Sequence, residues 1–199
     1  MRQIARVSAL AITLLAIAPL SQATVITYQA PLSGLAESPP NASPATGFVS
    51  VDYDASAHTL LIASNWSDLL GITSVAHIHC CTALANTGNV GVAVTPGTLP
   101  GFPPGVTAGS YSTLLDLTLA TTYTSAFVTA AGGTVAGAEA ALVAGLGSQQ
   151  AYFNIHTSTF PAGEIRGFLT EVPEPATLAL LAAGLGGLAW RRRQRSLPS

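Results

Sequence analysis

His77 and His79, in the run Thr73-Ser-Val-Ala-His-Ile-His79, are the first residues of this chain whose type and spacing could do chemistry. Side chains alternate along an extended strand, so a His-x-His pair sets two imidazoles on one side. Copper and zinc sites use that arrangement. His156, at the end of Tyr152-Phe-Asn-Ile-His-Thr157, offers a third nitrogen ligand, and three histidines with an open position make a usable catalytic geometry. The same stretch continues through Phe160-Pro161-Ala162-Gly163 into a second strand-like run with Glu164 and Arg166. If the His77 strand neighbours this hairpin, one face collects His77, His79, Asn154, His156, Glu164 and Arg166. Two readings follow from that face. One is a copper or zinc site on His77, His79 and His156. The other is a hydrogen-bonded polar cluster, in which the histidines pair with Asn154, Glu164 or backbone. Dismutase chemistry needs more ligands than these, and the remaining candidate, His58, falls in an expected hairpin turn.

Glu164 and Arg166 lie two apart on one strand, so a structural ion pair between them is the expectation. Cys80 and Cys81 are the only cysteines and adjoin His79. They cannot staple a long loop. Export favours oxidation, and three states remain open: a vicinal disulfide, an intermolecular bridge or free thiols, and soft-metal ligation beside His79. Neither a glycine-rich phosphate loop nor a nucleophile elbow with a matching triad is present. Asp52-Tyr53-Asp54 lacks the other ligands of a calcium loop and reads as hairpin-end solvation.

The elements that must position these residues are mostly strands. Tyr28–Ser33, Gly47–Tyr53, Thr59–Trp66, Thr73–His79, Val90–Thr95, Ser110–Thr118, Tyr152–Thr157 and Gly163–Thr170 have strand-like patterning, and turn-forming residues separate most of them. The second and third should pair antiparallel across a turn at Asp54–His58. Prolines at 39, 40 and 44 keep that region out of any ladder. The run Pro96–Gly105 cannot be regular structure, and a loop of that length in a small domain is more often functional or mobile than idle. Thr124–Ala130 and Val135–Leu146 have helical spacing, with Ala138, Leu142 and Leu146 recurring every fourth residue. About eight strands and a short helical insertion argue for an all-β antiparallel sandwich or barrel.

Both ends of the chain look like addresses. Arg2 and Arg6, the apolar run Val7–Leu20 and Ser21-Gln22-Ala23 make a secretory signal peptide over residues 1–23. Its apolar run is too short for a bilayer, which takes roughly twenty residues. Signal peptidase and the export machinery are the implied partners. At the far end Pro173-Glu174-Pro175 precedes the apolar segment Leu178–Trp190 and the basic cluster Arg191, Arg192, Arg193 and Arg195. Motif, greasy helix and basic stop follow the logic of a removable C-terminal anchor, with the arginines on the cytoplasmic side. The alternative is an ordinary single-pass transmembrane anchor. Residues 24–171 remain as one domain, carrying one arginine, no lysine and eight acids, for a charge near −7 although the whole chain sums to −2. A body with one cation cannot neutralise phosphates, which excludes nucleic-acid binding.

The C-terminal segment, residues 172–199, resembles the PEP-CTERM sorting signal of Gram-negative bacteria. That resemblance implies an exosortase-type membrane enzyme as partner, a membrane-anchored intermediate, and release or attachment at the cell surface. The body between the signals resembles a CHRD domain. The resemblance rests on Leu32-Ser33-Gly34 with Glu37 and Pro39-Pro40, Thr46-Gly47, Ala76-His77-Ile78-His79, Tyr152-Phe153-Asn154-Ile155-His156-Thr157 and Pro161-Ala162-Gly163-Glu164-Ile165-Arg166-Gly167. It implies an immunoglobulin-like or superoxide-dismutase-like β-sandwich with no established catalytic activity. Cys80-Cys81 and the proline-rich loop depart from that pattern. The expectation is therefore a non-enzymatic surface module without a cofactor, acting on envelope, matrix or polysaccharide partners. The alternative is a copper- or zinc-binding or redox domain centred on His77, His79 and His156.

Overall fold

Alternation of apolar and polar residues is strictest in the first long strands, and there the structure is simplest. A computed structural model describes residues 25–173 and 184–191. Strands β1 (Val25–Ser33), β2 (Thr46–Asp54) and β3 (Thr59–Ser67) form an antiparallel meander, and β6 (Gly109–Asp116) adds to the free side of β3. Tyr28, Ala30, Leu32, Val49, Val51, Leu60, Ile62 and Trp66 point inward at period two and are buried. A fully buried side chain of this size contributes roughly 1.5–3 kcal/mol.

The second half of the sheet runs β5 (Val92–Val94), β4 (Thr73–His79), β7 (Tyr152–Thr157), β8 (Ile165–Phe168). It joins the meander where β8 meets β1 at Ser33 and Arg166, and the two-residue strand β9 (Thr170–Glu171) pairs with β1 further along. The architecture is thus one antiparallel sheet that curls until its two halves face each other. Ala76, Ile78, Phe153, Ile155 and Ile165 meet the meander's inward residues in one core.

The helical insertion consists of two helices. α1 (Ser125–Ala130) starts at Thr124, whose hydroxyl accepts from the Phe127 N–H, and α2 (Val135–Gly147) starts at Thr134, capped through the Gly137 N–H. Ala138, Leu142 and Leu146 of α2 enter the core, as their spacing requires. The Pro96–Gly105 loop is pinned down: Leu99 and Phe102 are buried and the Leu99 N–H donates to the Ala76 carbonyl. Residues 184–191 form a short helix. Among the described residues no helix is long and apolar enough to cross a membrane. The expected leader, Glu174 and Pro175, residues 178–183 of the apolar segment, and Arg192, Arg193 and Arg195 lie outside the described residues.

Candidate functional site

Cross-strand register decides which side chains share a face. His77 lies opposite Asn154, His79 opposite Tyr152 and Val75 opposite His156, while on the other side of β7 Asn154 meets Arg166 and Tyr152 meets Phe168. The face away from the apolar core therefore gathers His77, His79, Tyr152, Asn154, His156 and Arg166. It is closed over by loops, so β4 is buried on both sides and its exposure does not alternate.

Each histidine of this face is held by one backbone carbonyl. The Nε2–H of His77 donates to Gly97 (2.9 Å), the Nδ1–H of His79 to Val90 (2.8 Å), and the Nδ1–H of His156 to Pro161 (2.9 Å). A carbonyl can only accept, so the proton sits on the bonded nitrogen and the neutral ring keeps a bare lone pair on the other. Those bare atoms, His77 Nδ1, His79 Nε2 and His156 Nε2, are buried and have no hydrogen-bond partner. The three histidines can bring one ring nitrogen each within 4.8 Å of the others. Burial keeps the rings neutral. It lowers His77 and His156 below the ordinary imidazole value and pushes His79 down to about 4. Three neutral donors this close, each with its tautomer fixed from outside, could hold a borderline metal ion.

The supports of His79 reach furthest. Tyr152 stacks on its ring, centroids 4.7 Å apart and planes within 5°, and the Tyr152 hydroxyl donates to the same Val90 carbonyl. Arg166 lies over the Tyr152 ring at 4.7 Å and is itself 3% exposed. Its Nε–H donates to the Ala36 carbonyl, and Nη1 donates to the Gly88 carbonyl and Asn89 Oδ1. The carboxylate beside it is Glu37, at 3.8 Å, in place of the Glu164 partner expected from sequence. Glu37 also accepts from Asn154 Nδ2 (2.7 Å). Burial raises its carboxyl to about 7, against the lowering effect of Arg166 and Asn154.

Glu164 is directed away from this cluster. Its carboxylate accepts from Ser43 Oγ, Thr157 Oγ1 and the N–H groups of Leu70 and Gly71. Cys80 and Cys81 are bonded to each other, their sulfurs packed against Gly145 of α2, where a side chain would not fit. His58 pairs instead with Glu139 of α2 at 2.9 Å.

The carbonyls of Val90, Gly97 and Pro161 escape sequence reasoning, because a backbone acceptor carries no residue signature. Tyr152 was accessible through strand parity. Gly163 is required by position: its φ is +131°, and a Cβ there would come within 2.5 Å of Asn154 Nδ2 and 2.7 Å of Glu37 Oε1. Gly163→Ala is expected to cost about 2–3 kcal/mol through strain and crowding, seen as a lower denaturant midpoint at unchanged slope. A variant within about 0.5 kcal/mol of the parent contradicts this assignment.

A curled antiparallel sheet with its polar cluster roofed by loops places the chain among small all-β modules. The CHRD domain model matches residues 28–169, and the PEP-CTERM protein-sorting motif matches residues 171–193. The chain belongs to the CHRD domain family. The sorting motif marks it as exported and directed to the cell surface through recognition by an exosortase-type enzyme. No curated protein and no solved structure matches the chain.

Proposed function

We propose that this surface-sorted domain, spanning residues 24–171 once its leader is removed, is a non-enzymatic module that holds one copper or zinc ion on His77, His79 and His156 in a Gram-negative cell envelope. The observation that supports it is that three neighbouring histidines, able to bring one ring nitrogen each within 4.8 Å of the others, each keep a buried nitrogen with no hydrogen-bond partner. Each orphaned buried acceptor costs about 1–3 kcal/mol, and a hydrogen-bonded cluster would have used them. A metal ion relieves all three at once. Loop carbonyls supply the outer-shell contacts that such ligands need. The sorting motif supports delivery to the cell surface, and association there with an envelope or polysaccharide partner is part of the same proposal.

The test uses the full chain, stripped with chelator and reloaded with Cu(II) or Zn(II). One metal per chain is expected by elemental analysis. The loaded protein should gain about 2.7 kcal/mol of stability at free metal a hundredfold above Kd. His77→Ala and His156→Ala should each lose both the metal and the gain. Absence of retained copper and zinc in the parent protein overturns the proposal.

A further inference from the structure

Among the described residues the cluster has no anionic ligand, and the permanently charged group beside it is the Arg166 guanidinium. Of the carboxylates around this hairpin, Glu164 is taken up by Ser43, Thr157, Leu70 and Gly71, and Glu37 is held by Asn154 beside Arg166. Arg166 cannot swing aside. It is buried, its Nε and Nη1 are bonded to Ala36, Gly88 and Asn89, and Asn89 is in turn tied to the Ser38 carbonyl. From Arg166 to the ligand His79 there is a single aromatic ring, Tyr152, with spacings of 4.7 Å on both sides.

Resting on the metal reading above, we propose that Arg166 tunes the three-histidine site toward the singly charged cuprous ion and against divalent copper and zinc. A fixed cation repels a 2+ ion twice as strongly as a 1+ ion at the same place. About 10 Å apart at an effective dielectric near 20, the difference is about tenfold in relative affinity. Three neutral imidazoles contribute no negative charge to offset a dication, and the tetrahedral coordination usual for zinc asks for a fourth ligand beyond these three. Glu37 works the other way above about pH 8, where its carboxyl, raised to about 7 by burial, is ionised and partly cancels Arg166, so the affinities are compared there. The two residues therefore predict shifts of opposite sign.

The experiment measures the affinities of the full chain for Cu(I), by competition with a cuprous chelator under ascorbate, and for Cu(II) and Zn(II), by competition with chromophoric chelators. Arg166→Gln is expected to raise the Cu(II)-to-Cu(I) affinity ratio about tenfold. Arg166→Lys, which keeps the charge but loses the guanidinium fork, should weaken both ions while holding the ratio within about twofold. Glu37→Gln should lower the ratio. If Arg166→Gln does not fold, Glu37→Gln carries the test alone, because it leaves the bonds of Arg166 to Ala36, Gly88 and Asn89 in place. A ratio unmoved in Arg166→Gln, or a Glu37→Gln shift upward, overturns the charge argument while metal is still bound. Failure of the parent protein to bind any of the three ions overturns the metal reading itself, and this proposal with it.

Discussion

Glu164→Ala is expected to lower the unfolding free energy by about 3–5 kcal/mol, a large share of what a domain of this size has. The carboxylate is fully buried and accepts from Leu70 N–H (2.6 Å), Gly71 N–H (3.2 Å), Ser43 Oγ (2.7 Å) and Thr157 Oγ1 (2.6 Å). It ties together the segment before β2, the link between β3 and β4, and the end of β7. Truncation orphans two buried backbone donors as well as two hydroxyls. Burial alone would raise this carboxyl, but the four donors outweigh it and hold it below the ordinary glutamate value. Its stabilisation is therefore complete above the unfolded-state value and is lost as pH falls through the lower folded value. Glu164→Gln, which keeps shape and part of the acceptor set, should cost clearly less than alanine. Chemical denaturation at pH 7 decides the matter, and an alanine variant within 1 kcal/mol of the parent rules this role out.

The second large effect is hidden in the parent protein because two buried groups oppose each other. Glu37 is 8% exposed with its carboxyl raised to about 7, and His79 is 9% exposed with its imidazole lowered to about 4. Between about pH 4.5 and 6.5 the unfolded chain has His79 protonated where the folded chain does not, so stability rises with pH. Over nearly the same window the folded chain keeps Glu37 protonated where the unfolded chain does not, so stability falls with pH. Each displacement corresponds to about 3 kcal/mol. With chelator present, the parent should show little net slope from this pair. Glu37→Gln should expose a rise of about 3 kcal/mol from pH 4.5 to 7, with His77 and His156 adding in the same direction. His79→Gln should tilt the profile toward a fall relative to the parent, with His77 and His156 still opposing it. Denaturant midpoints across that range provide the check, and two variants with parallel pH profiles would falsify the assignment.

Strand parity made most of the fold legible. The hairpins, the His-x-His face and the helices near Thr124–Ala130 and Val135–Leu146 follow from local spacing, and the pairing of β4 with β7 turned that spacing into a three-residue cluster. What sequence could not supply depends on contacts between distant segments. Arg166 finds Glu37 because β8 lies beside β1, and two residues apart on one strand turned out to be a poorer guide to pairing than that adjacency. Glu164 serves a loop whose path is set by the whole sheet. The proline-rich run is irregular, as expected, yet Leu99 and Phe102 fasten it, because its task is to present the Gly97 carbonyl to His77.

Those three loop carbonyls also bear on timing. Before it folds, the chain carries a His77-x-His79 pair and, far behind it, a solitary His156. Such a pair is a weak, unselective chelator whose rings are free to protonate and to flip tautomer. The three-nitrogen cage comes into being only after β4 has paired with β7 and the segments bearing Val90, Gly97 and Pro161 have settled over it, since a preformed site rarely exists in an unfolded chain. On the metal reading proposed above, cargo selection would be postponed until the exported chain has folded, and the ion taken up would be decided by the metal supply at the cell surface.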